Sequence, residues 1–136
     1  MLSNLFINPV SAKITSYYGK RKAPKAGAST FHSGIDLATP LKTPIKCPAD
    51  GVVGYSGFDS VNGYYVKIIH RNGYITGYAH LSSVAVPKEK AVIQGEIIGY
   101  TGQSGLATGP CLHFTLRKGK NLNGSTINPI DYFDFV

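Results

Sequence analysis

Tryptophan is absent from the 136 residues, methionine occurs once, as Met1, and cysteine twice. Cys47 and Cys111 allow one bridge at most, and neither has a C-x-x-C partner, which excludes a cysteine-built zinc knuckle. Charged residues make up 15% and hydrophobic ones 43%, the balance of a globular chain and not of a disordered one. No apolar run approaches the ~20 residues of a membrane span, so no membrane insertion is expected. Met1-Leu2-Ser3-Asn4-Leu5-Phe6 has neither the charged start nor the long apolar run of a signal peptide. The expectation is a cytosolically made protein, a virion component or a domain taken from a longer chain. Acidic groups are scarce, 7 against 14 Lys and Arg, for a formal charge of +7. That favours an anionic partner: nucleic acid, a membrane surface or the acidic bacterial cell wall. Yet the positive charge is scattered, with Lys20-Arg21-Lys22 and Lys25 its one dense cluster. No basic-aromatic interleaving marks a nucleic-acid face, so none is expected.

What the chain does have is glycine, proline and tyrosine, 16, 8 and 9 of them, a composition of short strands and tight turns. Residues 1–12 read as a lead-in and 13–136 as one domain. Lys13–Tyr18 is a plausible strand stopped by Gly19, and residues 20–31 read as a mobile loop. Tyr64–His70 and Tyr74–His80 flank Arg71-Asn72-Gly73, and Asn-Gly between β-branched and aromatic runs predicts a hairpin. Val52–Tyr55, Gly95–Gly102 and Leu112–Arg117 read as further strands. Leu81 to Lys90 reads as irregular, with room for one helical turn. The tail Pro129–Phe133 is expected to dock on the core. The fold class is all-β or nearly so.

Four histidines are present. His32 and Asp36 are four apart, but Gly34 and the prolines that follow place them on a loop entering a strand, not on a helix. Taken alone they suit a simple His–Asp hydrogen bond. Cys111 and His113 are two apart on a strand and so share a face; alone, they suit a core thiol beside a core histidine. Taken jointly, His32, Asp36 and His113 offer N/O donors for zinc with a fourth position left for water. Zinc lowers the pKa of such a water toward ~7 and polarises a bound carbonyl, the physics of amide hydrolysis. His80, at the end of the hairpin, is placed to reach that water, whereas His70 reads as a turn or surface residue.

The ordered set His-Ser-Gly-Ile-Asp-Leu-Ala, Asn-Gly-Tyr…Tyr-Ala-His-Leu, Ile-Gly-Tyr-Thr-Gly-Gln-Ser-Gly and Thr-Gly-Pro-x-Leu-His-Phe resembles the LytM/lysostaphin-type zinc endopeptidases from about Ile14 to Tyr132. The resemblance implies His32, Asp36 and His113 as zinc ligands and His80 as a catalytic histidine that does not bind the metal. It implies peptide cross-links of bacterial peptidoglycan as substrate, action at the cell wall, and a compact antiparallel β domain with an open groove walled by residues 20–31, 57–63, 82–92 and 118–127. A monomer is expected. The family's last motif is H-x-H, and here its first position is Cys111, where the family places a second catalytic histidine. Three outcomes stay open: a weakened enzyme relying on His80, a wall-binding module that hydrolyses nothing, or a site closed by Cys111 as fourth ligand. Cys47 falls where a small core residue is expected. A carrier domain of the biotinyl or lipoyl type is disfavoured, because the hairpin tip carries Arg71 and no methionine flanks it.

Overall fold

A computed structural model describes residues 5–20 and 31–135. Most of the 20–31 loop expected as a groove wall, residues 21–30, lies outside the described residues. Among the described residues twelve strands follow in order: β1 Ile14–Ser16, β2 Gly19–Lys20, β3 Phe31–His32, β4 Ile35–Ala38, β5 Pro44–Lys46, β6 Gly51–Asp59, β7 Gly63–His70, β8 Tyr74–Val84, β9 Ala91–Val92, β10 Ile97–Thr101, β11 Cys111–Lys118 and β12 Ser125–Ile127. Ten form one antiparallel sheet with the path β1-β4-β11-β8-β7-β6-β9, to which β10, β5 and β12 attach; β2 and β3 pair separately. No α-helix occurs among the described residues.

The expected hairpin is β7 and β8, turned by Arg71–Gly73 with Asn72 and Gly73 both at positive φ. That conformation is the reason Asn-Gly marks such turns. Beyond Leu81 the strand continues to Val84 and no helical turn forms, because Leu81 and Ser83 find partners in Thr101 and Tyr100 of β10. Ladder pairing absorbs backbone groups that a lone irregular segment would leave to water.

Strand alternation divides β11. Leu112, Phe114 and Leu116 are fully buried in the core with Tyr78, Leu37, Ile35 and Ile68. His113, Thr115 and Arg117 point to the other face, since successive side chains alternate. The stretch upstream of β1 also contributes to the core: Phe6 and Val10 are buried, and Phe6 stacks on Phe133 of the tail at 4.8 Å between centroids. Asn8 and Asp134 exchange two hydrogen bonds beside that stack.

His70 is a correction to the sequence reading. It is buried at 4% exposure, with Phe6 edge-on to its ring. Nδ1–H donates to the Asp50 carbonyl at 3.1 Å, and Nε2 accepts from the Thr76 hydroxyl at 2.7 Å. Thr76 in turn accepts from the Tyr78 hydroxyl at 2.6 Å. A histidine at the last strand position before a turn ordinarily faces water, but the even alternation of β7 puts His70 on the same side as Val66 and Ile68.

Candidate metal centre

Three strands bring the three donors together. His113 is the direct partner of Asp36 across the β11–β4 ladder. His32 precedes β4 by a two-residue bend, Ser33-Gly34, that returns its side chain to the same end of the sheet. Gly34 is needed there for space: a Cβ at that position would run into the Phe114 carbonyl and reach 2.8 Å from Thr115 Cγ2.

His113 Nδ1 lies 2.7 Å from Asp36 Oδ1, and His32 Nε2 lies 3.4 Å from the same oxygen and 3.3 Å from His113 Nδ1. Among the described residues these three form a group whose donor atoms all lie within 4.8 Å of one another. Cys111 is not in that group. Burial alone would raise the Asp36 carboxyl, but hydrogen bonds from His113 and His32, with their charge, outweigh it and hold the group well below the usual carboxylate range. Asp36 is thus an anion at any working pH, as a cation site requires. His32 is buried, and its Nδ1 sits 3.0 Å from the Tyr17 carbonyl. A carbonyl only accepts, so Nδ1 carries a proton there, and Nε2 is the nitrogen turned toward Asp36 and His113.

His80 stands on the other side of His113, with ring centroids 5.8 Å apart. It is there because β8 bulges. Tyr64 pairs with Leu81 and Val66 with Tyr78, so Tyr65 alone faces both Ala79 and His80. The extra residue takes φ +65, left-handed for a side chain that rarely adopts it, at a cost of about 1–3 kcal/mol. Its Nδ1–H donates to the Ser104 carbonyl at 2.8 Å, which leaves Nε2 as a free acceptor. Burial lowers its pKa, and charge on His113 adds to the effect. The ring is therefore neutral near pH 7, the form a general base needs.

Cys111 opens β11, paired with Ala38 and bridged to Gly102, on the same face as His113 and half-buried. Burial, with the Asp36 charge nearby, pushes its thiol up to about 11. Both cysteines are free, and Cys47 donates its S–H to the Ala49 carbonyl deep in the core. Of the groups that orient the site, the sequence gives no sign of the Tyr17 and Ser104 carbonyls, because backbone acceptors leave no mark on residue identity.

An antiparallel β domain that gathers two imidazoles and a carboxylate at one point, with a third imidazole alongside, has the makings of a metallopeptidase. The chain belongs to Peptidase family M23, whose family model matches residues 30–129. It is 40% identical over 121 residues to the DD-carboxypeptidase/endopeptidase Mpg of Neisseria meningitidis serogroup B, spanning 89% of this chain and 27% of that protein. It is 39% identical over 118 residues to the peptidoglycan DD-endopeptidase ShyC of Vibrio cholerae, spanning 86% and 26% respectively. The chain thus covers about a quarter of the length of these relatives. Among solved structures, a variant of the catalytic domain of the prophage-encoded M23 protein EnpA from Enterococcus faecalis superposes with TM-score 0.76 at 38% identity, over 88% of this chain and 89% of that one. The catalytic domain of lysostaphin from Staphylococcus simulans gives 0.79 at 28% identity, over 88% and 90%.

Proposed function

We propose that this domain is a zinc-dependent endopeptidase that cleaves peptide cross-links of bacterial peptidoglycan, working at the cell wall as a monomer and at a reduced rate. The observation that carries the reading is the meeting of His32 Nε2, Asp36 Oδ1 and His113 Nδ1 with the His80 ring alongside His113. Two ligand atoms on a tetrahedral zinc, at ~2.0–2.1 Å from it, are about 3.3–3.4 Å apart. His32 Nε2 already stands 3.3 and 3.4 Å from the other two donors. Only the 2.7 Å hydrogen bond between His113 and Asp36 is shorter, and it is the contact a cation would replace.

Zinc, when bound, supplies Lewis-acid polarisation of the scissile carbonyl and acidifies water. The protein's own part is positional and protonic. Tyr17 fixes the tautomer of His32, and the β4–β11 ladder fixes Asp36 against His113. His80 Nε2 takes a proton from the attacking water and returns it to the leaving amine, so that one imidazole serves as base and then as acid. Cys111 occupies the place of a second such group. With its pKa raised to about 11 it keeps its proton near neutrality and accepts none. General acid–base help is worth roughly 10²–10⁴-fold, and that is the scale of the expected handicap.

The same thiol supports a second reading, a domain that holds metal and docks on wall peptides without cutting them. Purified cell walls incubated with the protein, beside His80→Ala and Cys111→His, separate the two. Slow release of new amino groups that disappears in His80→Ala supports the enzyme. Co-sedimentation with walls and no release, restored by Cys111→His, supports the docking module in its place.

A further inference from the structure

We infer that Asp59, at the end of β6, and Ser104, on the loop between β10 and β11, are positioning residues that act through His80. The inference rests on the reading of His80 as the acid–base group. The bulge that aims His80 is held from outside β8. The His80 N–H donates to the Asn62 carbonyl at 2.6 Å, and the His80 ring donates to the Ser104 carbonyl at 2.8 Å. The next carbonyl along the bulge, that of Leu81, accepts from Ser104 Oγ at 2.5 Å. Ser104 thus holds both the ring and the backbone that carries it.

Each of these two acceptors is itself held. Asp59 Oδ1 accepts from the backbone N–H groups of Val61 and Asn62 at 2.9 and 2.7 Å, and Oδ2 accepts from Asn62 Nδ2 at 3.2 Å. One carboxylate thereby shapes the whole β6–β7 turn and sets where the Asn62 carbonyl points. Ser104 Oγ also accepts from the Tyr64 N–H at 3.1 Å, and Leu106 N–H donates to the Val61 carbonyl at 3.0 Å. The 102–110 loop is so stitched to the turn. The contact is close enough that a Cβ on Gly63 would strike Ser104, and one on Gly105 would strike the Val61 carbonyl. The two loops and the bulge form one clamp, and His80 is what it grips.

The test is a double-mutant cycle on wall digestion by the zinc-loaded protein, joined to ¹⁵N NMR of the His80 ring. Asp59→Ala and Ser104→Ala should each lower kcat about 10- to 100-fold with KM little changed, the scale of a misplaced catalytic group. Asp59→Asn, which keeps an oxygen for the two backbone donors, should recover most of the loss. Placed on His80→Ala, neither alanine substitution should lower kcat further. Equal losses in both backgrounds, or no loss beside an intact His80, overturn the inference. The NMR arm needs no activity: wild type should show His80 protonated at Nδ1 alone, and Ser104→Ala a mixture of tautomers. A ring unchanged in both variants overturns the clamp. A ring that responds in a protein that digests nothing upholds the clamp and refutes the enzyme.

Discussion

His113 and Asp36 face each other across one rung of the β4–β11 ladder, with Nδ1 and Oδ1 2.7 Å apart. Two of the three donors are therefore placed by sheet register alone. A one-residue slip of either strand would turn its own donor over to the core. The domain cannot fold correctly without assembling most of its site.

One consequence concerns metal uptake. The purified protein is expected to bind one equivalent of zinc by elemental analysis after dialysis, and His113→Ala to bind none at the same free zinc. At zinc a thousandfold above its dissociation constant the gain is about 4 kcal/mol, a rise in Tm on the order of 10 °C over chelated protein. A Tm indifferent to chelator would remove the metal from the account.

Cys111→His is expected to speed wall digestion by roughly 10²-fold or more. The imidazole would share the face of His113 and supply the second acid–base group. Initial rates of amine release at equal zinc content decide the matter, and a rate no higher than wild type counts against the handicap assigned to the thiol.

His80→Ala should cost about 10²–10⁴-fold in kcat while zinc content stays at one equivalent. Loss of zinc together with activity would instead make His80 a ligand.

Gly34→Ala should destabilise the fold by about 1–3 kcal/mol, the usual cost of forcing atoms into a filled space. The Cβ would press on the Phe114 carbonyl and on Thr115 within the strand that carries His113. Urea midpoints measure the loss, and zinc affinity should weaken with it. A variant as stable as wild type would show that the bend has slack.

His70 gives the domain an acid-sensitive core. Burial lowers its pKa below the ordinary 6.5. As pH falls through 6.5 the unfolded chain takes up the proton first, so stability is complete above that value and declines as pH drops toward the folded pKa. The decline approaches about 1.4 kcal/mol per pH unit at most. Urea midpoints between pH 7 and 5, beside His70→Gln, should show the slope in wild type and a shallower one in the variant.

Hairpin and strand alternation were legible in the sequence, because period-two patterning and Asn-Gly turns are local signals; the grouping of His32, Asp36 and His113 came only from taking distant motifs together and from their resemblance to a known family. His70 was not: its place next to a turn masked the alternation that buries it, and the cover over its ring is completed by Phe6 from 64 residues away. The extension of β8 to Val84 was hidden for a similar reason: its partner, β10, is distant in the chain. Nor does any residue type announce the left-handed turn at His80, which carries a side chain where glycine would be the usual mark.

The pairing of Asn8 with Asp134 has a further meaning. The polypeptide comes in and goes out through neighbouring points near Tyr74, whereas the histidine cluster sits at the far end of the same strands. A unit tethered at both ends on one side can be spliced into an unrelated host, or have its ends joined and be reopened elsewhere, without its working end being obstructed.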